Sequence, residues 1–185
     1  MSLGHGIAKA AGRALSSVHA GDDKLAAARL VDEATSRLTV TSPAFQNGKP
    51  LPKRFTADGE GEAPELHWSA PPTSARSFVL LCEDPDAPKT EPFVHWLVYD
   101  IGADARSLDA ATAKQAREGK NSMMAVGFTP AAPPPGHGLH HYHFQLFALD
   151  GALNLDARAG RGAVLDAMKG HVVAFGELVG TYERQ

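Results

Sequence analysis

The segment Leu81-Cys82-Glu83-Asp84-Pro85-Asp86-Ala87-Pro88 joins a hydrophobic run to a proline-rich turn. The run that leads into it, Ser77 to Glu83, is mostly aliphatic and aromatic, which is typical of a buried strand. After this run, Pro85 and Pro88 fix φ on both sides of a turn, and Asp86 can bond backbone N–H groups inside that turn. We therefore expect Asp84 to project from a strand end and Asp86 to shape the loop.

Strand-like texture dominates the chain after residue 35. Four further β-branched and aromatic segments lie between Pro and Gly residues: Arg37 to Thr41, Val94 to Ile101, His140 to Leu149 and Glu177 to Glu183. Two segments are expected to be helical, Asp109 to Glu118 and Arg161 to Phe175, the second because its apolar residues are three and four apart. Proline-rich Pro43 to Pro72 is interpreted as a long loop across a sheet face. The pattern predicts a mainly β fold with peripheral helices.

The N-terminal part has a different pattern. Apolar residues recur there at helical spacing in two sets: Ile7, Ala10, Ala11, Ala14, Leu15 and Val18, then Ala27, Leu30, Val31, Ala34 and Leu38. Helices this short are marginal in water unless their apolar side is covered, by the domain or by a second subunit. We divide the chain into a helical extension, residues 1–35, and a main domain, residues 36–185, and expect the extension to favour a homodimer.

Composition excludes several classes of protein. The chain has 185 residues, and 18 Lys plus Arg against 21 Asp plus Glu give a net charge of −3, so nucleic acid is not an expected partner. The single cysteine, Cys82, excludes a disulfide scaffold. The longest uncharged run, Asn121 to Leu149, contains four prolines and four histidines, which argues against a membrane span. Lys9 and Arg13 interrupt the first 20 residues, so we expect no secretory signal and a cytoplasmic protein, while the lack of acidic residues before Asp22 leaves an organellar transit peptide as an alternative.

Strict alternation along each strand sorts side chains by face. It groups Phe78, Leu80, Cys82 and Asp84; then His95, Leu97, Tyr99 and Ile101; then His140, Tyr142, Phe144, Leu146 and Ala148. Each apolar face thus ends in a polar residue. Polar groups at the rim of an apolar face are typical of a ligand pocket, because burial without a partner costs about 1 to 3 kcal/mol for each group.

Several motifs together resemble the phosphatidylethanolamine-binding protein family, in its bacterial Raf-kinase-inhibitor-like form. They are Leu81 to Pro88, Val94-His95-Trp96, Pro133 to Gly136, Gly138 to Tyr142, Phe45 with Gly48 and Pro52, Pro64 to Trp68, and Gly176 to Tyr182. The resemblance covers residues 36–185. The combination of Asp-Pro-Asp-Ala-Pro with the later His and His-x-Tyr is specific, whereas each piece alone is weak.

The resemblance implies a central antiparallel sheet, a smaller sheet, peripheral helices and a shallow anion-accepting pocket. Its implied ligand-binding residues are Asp84, His95, His140 and Tyr142, with Pro88, Ala132 and Pro133 at the rim. It implies a regulatory protein that binds phosphate- or carboxylate-bearing groups, such as phosphate, phosphoethanolamine or a similar phospholipid headgroup, and acts on a kinase or another protein partner. No cofactor is expected.

The chemistry agrees with such a pocket. A carboxylate on one nitrogen of an imidazole favours its protonated form, which makes the other N–H a better donor to an anion. We assign no Arg or Lys to the pocket, and therefore expect weak binding. The chain departs from the animal and plant pattern at Phe93, at His141 and in lacking a helix after its last strand. These departures argue against headgroup specificity and kinase inhibition, and leave the expected anion pocket intact.

Two alternatives stay open. His141 and His143 share a strand face and could bind a metal ion, although no further Glu or His is spaced to complete a set, so we assign no metal ligand. A hydrolase could use Asp84, His95 and His140, an acid and two bases, with Ser122 or Thr129 nearby. No Gly-x-Ser-x-Gly motif is present, so we assign no catalytic residue and favour binding over turnover.

Overall fold

The computed structural model describes residues 3–15, 17–33 and 35–184, with side chains from residue 9 onward. The helices are α1 (Leu3–Ala14), α2 (Ala26–Leu30) and α3 (Arg161–Met168). The strands are β1 (Ser36–Arg37), β2 (Val40–Thr41), β3 (Lys49–Pro50), β4 (Leu66–Trp68), β5 (Ser77–Asp84), β6 (Phe93–Gly102), β7 (Ser107–Leu108), β8 (Arg117–Glu118), β9 (His140–Leu149) and β10 (Val172–Tyr182). Two members of the predicted helical stripes, the Ile7 side chain and Ala34, lie outside these described parts.

A large sheet with strand order β1-β10-β9-β5-β6-β8 forms the centre of the molecule. From β10 to β8 all neighbours are antiparallel, while the two-residue strands β1 and β3 pair with β10 in parallel. A second, antiparallel sheet has the order β2-β4-β7. The expected mainly β fold, with a central antiparallel sheet, a smaller sheet and peripheral helices, is confirmed.

The two faces of the large sheet carry separate cores. The small sheet covers one face, where the rings of Trp68 and Phe78 lie 5.3 Å apart. Helices α2 and α3 cover the other face, where Val79 packs in one cluster with Val164 and Met168. The long strand β5 is buried along its whole length because both of its faces are covered. None of the helices in the described ranges is long and apolar enough to cross a membrane.

The prediction of a helix over Arg161 to Phe175 is wrong in its second half. Helix α3 ends at Met168, and Gly170 has a φ of 76°, a left-handed conformation that suits glycine and stops the helix. The chain then enters β10 at Val172 and pairs with β9. The apolar spacing continued past the glycine by coincidence, because this end of β10 buries residues on both faces.

Two more helix predictions extend too far. Between Asp109 and Glu118 the carboxylate of Asp109 accepts N–H bonds from Ala111 and Thr112, at 2.9 and 2.7 Å, and supports a single 3₁₀ turn before β8 pairs with β6. The second N-terminal helix ends at Leu30, since the chain soon pairs with β10 through β1. Within the proline-rich loop, Leu66–Trp68 forms strand β4. Strand pairing overrides local helical spacing in these places.

A buried carboxylate holds the helical layer to the sheet. The side chain of Glu83 is fully buried, accepts the N–H of Ala26 at 2.8 Å and the amide of Gln145 at 2.7 Å, and is paired with Arg161. Gln145 in turn accepts the N–H of Ala27 at 2.8 Å. Helix α2 is therefore bonded to β5 and β9 through its first two residues.

Replacing Glu83 by alanine is expected to destabilise the protein strongly. Loss of the carboxylate leaves Arg161 and two further donors without their buried partner, and breaking a buried ion pair costs about 3 to 5 kcal/mol. Urea unfolding followed by far-UV circular dichroism measures the loss. Glu91→Ala is the matched control, because Glu91 is an exposed second partner of Arg161 at 3.3 Å, and it should cost less than about 1 kcal/mol. Equal losses in the two variants would contradict this account.

Candidate functional site

The strand order brings three predicted polar residues together. Asp84 ends β5, His95 lies near the start of β6, and His140 begins β9, while β5 lies between the other two strands. The Oδ2 atom of Asp84 is 2.7 Å from His140 Nδ1 and 3.9 Å from His95 Nε2. All three side chains are nearly inaccessible to solvent. Residues up to 56 positions apart in the sequence thus form one compact acid and imidazole cluster.

His95 reaches this cluster because β6 is irregular. Cys82 pairs with Trp96 and Glu83 pairs with Val94, so His95 is an extra residue in a β-bulge. A second irregularity lies between Val98 and Ile101. The predicted face of His95, Leu97, Tyr99 and Ile101 is therefore wrong: Leu97 and Tyr99 pack under the helices, whereas Ile101 packs under the small sheet. Strict alternation cannot anticipate the bulge that turns His95 toward Asp84.

Thr129 determines which nitrogen of His95 can face a ligand. His95 Nδ1 lies 2.7 Å from the carbonyl oxygen of Thr129, which accepts hydrogen bonds and cannot donate them. The Nδ1 atom must therefore carry the hydrogen. The N–H of Thr129 also donates to the His95 carbonyl at 2.8 Å, so the two residues are bonded in both directions. Sequence analysis did not identify this role of Thr129, which depends on a contact across 34 positions.

The charge of Asp84 is well compensated. Its Oδ1 accepts N–H bonds from Asp86 at 2.9 Å and Ala87 at 3.1 Å, and its Oδ2 accepts from His140. Burial alone would raise the pKa of Asp84, but the hydrogen bonds and charges of His140 and His95 lower that pKa from 3.8 to about 2. Asp84 is accordingly an ionised group that orients its imidazole neighbours.

A cavity of about 320 Å³ opens beside the cluster. Its lining consists of Asp84, His95, Thr129 and His140 together with Ala87, Pro88, Lys89, Phe93, Met123, Pro130, Ala132, Pro133 and Pro134. The three rim residues expected from the resemblance, Pro88, Ala132 and Pro133, are all in this wall. Lys89 is a cation that the sequence analysis did not assign to the pocket, and its Nζ lies 5.6 Å from the ring centre of Phe93. In the sequence, the position of Lys89 directly after Asp-Pro-Asp-Ala-Pro could have indicated that it lies near the pocket.

Tyr142 and Asp86 lie outside the cavity wall. The Tyr142 ring packs edge-on against His95 with centroids 5.1 Å apart, and its hydroxyl is buried with no hydrogen-bond partner among the described residues. Burial and the nearby charge of Asp84 raise the pKa of Tyr142 far above its ordinary value. Asp86 Oδ2 accepts from both the backbone N–H and the Nδ1 of His141, each at 2.8 Å. Asp86 thus ties the turn to the start of β9.

His140 differs from the expected arrangement at its second nitrogen. Its Nδ1 is bonded to Asp84, but its Nε2 lies 2.8 Å from Nδ1 of His137 and is therefore not free to meet a ligand. His137 is buried in a turn whose flanking residues, Gly136 and Gly138, have φ values of 78° and 117°. From the sequence alone, His137 is only one of the four histidines between Asn121 and Leu149. A histidine between two glycines, three residues before His140, was the local signal.

The alternative chemistries find little support in the contacts. His141 and His143 are each bonded to a separate carboxylate, Asp86 and Glu177, and the described residues contain no group of three or more side chains suited to a metal. Cys82 is fully buried, and burial raises the pKa of its thiol. The hydroxyl of Ser122 accepts the N–H of Val94 at 2.9 Å. In the described parts of the chain, the pocket presents one imidazole nitrogen without a close partner, His95 Nε2, beside an apolar wall.

Comparison with known proteins agrees with this fold. Residues 41–183 match the family model for phosphatidylethanolamine-binding protein. A UPF0098 protein of Mycobacterium bovis is 40% identical over 147 residues, which cover 79% of this chain and 70% of that protein.

Two solved structures are also similar. One is a phosphatidylethanolamine-binding protein homologue from Chlamydia trachomatis, with 35% identity, a TM-score of 0.75, and coverage of 82% of this chain and 100% of that one. The other is YbcL of Escherichia coli, described as a member of the mammalian PEBP family, with 28% identity, a TM-score of 0.74, and coverage of 80% and 99%. With a family match over most of its length and relatives that share both sequence and fold, the chain belongs to the phosphatidylethanolamine-binding protein family.

Proposed function

We propose that this protein is a regulatory anion-binding protein whose pocket takes a phosphate- or carboxylate-bearing group at His95. One observation carries the proposal: the carbonyl of Thr129 occupies Nδ1 of His95, while Nε2 has no hydrogen-bond partner among the described residues and lies 3.9 Å from Asp84. Membership of the phosphatidylethanolamine-binding protein family supports a ligand-binding role in general. A group that resembles a phospholipid headgroup has the required chemistry.

Anion binding at this nitrogen requires proton uptake. Because Nδ1 keeps its hydrogen for Thr129, a neutral His95 has a lone pair at Nε2 and would repel an anion. A protonated His95 presents an N–H there and gains a charge-assisted hydrogen bond. The anion and the proton are therefore expected to bind together.

The rest of the cavity favours a ligand that is only partly polar. The negative charge of Asp84 is partly compensated, since both of its oxygens already accept hydrogen bonds. Lys89 adds a cation at the exposed rim. The residues seen to line the cavity in the described part of the chain include no arginine, so we expect no bidentate recognition of a phosphate and only modest affinity. Phe93 and the prolines can contact an apolar part of the ligand.

The regulatory part of the proposal concerns a protein partner, such as a kinase, that would respond to occupancy of this pocket. Its support is the family membership alone. Exposed Met123, Met124 and Leu139 supply apolar surface, and Met123 itself lines the cavity. A partner that contacts this rim could sense whether the pocket is filled.

Acetate should bind more tightly at pH 6 than at pH 8. Acetate stays a monoanion over this range, so a change in affinity reports protonation of the protein and not of the ligand. A linkage of one proton allows the affinity to fall by at most about tenfold for each pH unit. Titration followed by NMR of the histidine side chains measures it, with phosphate and phosphoethanolamine as further probes.

His95→Gln should reduce this pH dependence, whereas His67→Gln should retain it in full, because His67 is exposed and paired with Glu65. Absence of any His95 shift at millimolar acetate, or equal binding at both pH values, would contradict the proposal.

Asp84→Asn is expected to remove part of the acid sensitivity of folding. The folded pKa of Asp84 lies below its ordinary value, so its contribution to stability is present above pH 3.8 and is lost as the pH falls toward about 2. That contribution is about 2 kcal/mol. The free energy of unfolding, measured by urea titration between pH 2 and 6, should fall less steeply in D84N. Asp150→Asn, which removes an exposed carboxylate beside His171, is the control and should keep the wild-type slope.

A further inference from the structure

A chain of three hydrogen bonds runs from the pocket to helix α1. Asp84 Oδ2 is 2.7 Å from His140 Nδ1, and His140 Nε2 is 2.8 Å from His137 Nδ1. His137 Nε2 is 2.9 Å from the carbonyl oxygen of Leu15, just beyond the end of α1. Both imidazole rings are buried. The site residue Asp84 is thus connected to the end of the N-terminal helix through His140 and then His137.

The complete chain requires one proton more than two neutral imidazoles carry. Each of its three hydrogen bonds needs one hydrogen, and the ends, a carboxylate and a carbonyl oxygen, are acceptors. Two neutral imidazoles carry two hydrogens. The third must come from an additional proton, which makes the Asp84, His140 and His137 group neutral as a whole. When that proton leaves, one of the three bonds loses its hydrogen and two lone pairs face each other.

The outermost bond is the one that can open. His140 and Asp84 are enclosed by the sheet, whereas Leu15 is 42% exposed and belongs to a segment at the surface. Opening the bond to Leu15 moves α1. Opening the bond between Asp84 and His140, or between His140 and His137, would leave a buried polar group inside the domain without a partner. Loss of the proton is therefore expected to release the end of α1.

Helix α1 also packs on the segment that continues the pocket wall. A Cβ atom added to Gly12 would lie 2.1 Å from the carbonyl oxygen of Pro135, and one added to Gly136 would lie 2.9 Å from Lys9. Ala132, Pro133 and Pro134, immediately before this contact, line the cavity. Helix α1 thus packs against Pro135 and Gly136, directly after the residues that line the pocket, and supports that wall.

Other titratable or charged groups lie near the chain on several elements. They are His95 on β6, Asp86 in the turn after β5, Lys9 and Arg13 on α1, and Glu183 and Arg184 after β10, where the Arg184 carbonyl accepts the N–H of Gly136. Arg184 is paired with Asp58. None of these side chains forms one of the three bonds, so they adjust the pH of the transition without supplying its proton.

We propose that helix α1 is a control element of the anion pocket, docked through a proton shared along Asp84, His140 and His137. Docking strengthens as the shared proton binds and weakens as it leaves. The coupling to ligand rests on the proposed function: an anion at His95 adds negative charge beside Asp84, favours retention of the proton, and so holds α1 against the wall loop. The position of α1 at the protein surface would then depend on whether a ligand occupies the pocket.

Hydrogen exchange on the full-length chain tests the proposal. The readout is the protection factor of amides between Lys9 and Leu15, which removes the intrinsic pH dependence of exchange, measured from pH 5.5 to 8.5. Protection should fall by about tenfold for each pH unit once the shared proton dissociates. Acetate at saturation should move this fall to higher pH.

His137→Gln is the decisive variant, because its amide cannot titrate and the protection of α1 should become independent of pH. His171→Gln, an exposed histidine beside Asp150, is the control and should retain the wild-type slope. Should H137Q unfold, His137→Asn gives the same test. Constant protection in the wild type, or an unchanged slope in H137Q, would overturn the docking mechanism.

The two proposals fail in different ways. If NMR shows acetate bound at His95 and the protection of α1 does not respond to it, the coupling is overturned while the proposed function stands. If acetate does not bind at all, the proposed function and the coupling both fail. A pH slope that disappears in H137Q would in that case still support proton-linked docking of α1.

Discussion

The hydrogen bond between Asp84 and His140 is the contact on which the site depends. It joins the end of β5 to the start of β9 in a place that is almost closed to solvent. A carboxylate in such a place is stable only when its charge is compensated, and here the turn after β5 supplies two N–H donors while imidazoles supply the rest. Because the geometry of the turn and the ionisation of Asp84 require each other, the pocket is assembled by the same contacts that close this end of the sheet.

Consecutive carboxylates at the end of β5 serve opposite faces of the molecule. Glu83 points to the helical layer, where it is bonded to Ala26 and Arg161, and Asp84 points to the pocket. Alternation along a strand makes this division automatic. Each carboxylate is buried and each has charged and neutral partners from other elements. This short stretch therefore links the outer helices, the central sheet and the candidate ligand site.

The segment before residue 36 is bonded to the domain at several points. Ala20 and Gly21 donate to the carbonyl of Pro85, Ala26 donates to Glu83, and the carbonyl of Leu15 meets His137. These contacts converge on the strand end that carries Asp84 and on the loop that forms the pocket wall. An N-terminal segment attached in this way can report on the pocket because its contacts share residues with the site. Its own helices are short, so their position depends on those contacts and not on intrinsic stability.

The sequence alone determined the features that are local. Hydrophobic texture marks β5, β6 and β9, and prolines mark the turn after Asp84, so the strand identities and the fold class could be predicted from the chain itself. The convergence of Asp84, His95 and His140 was expected only from the family resemblance, since alternation along β6 gave the wrong face for His95. Tertiary structure decided what depends on pairing between distant segments. The bulge at His95, the bond from Thr129 that selects its free nitrogen, and the contact of His137 with Leu15 arise from register and packing. Such contacts leave no periodic signal in the sequence. They depend on which residues of distant segments come to lie opposite each other, and the order of polar and apolar residues along one strand does not specify that.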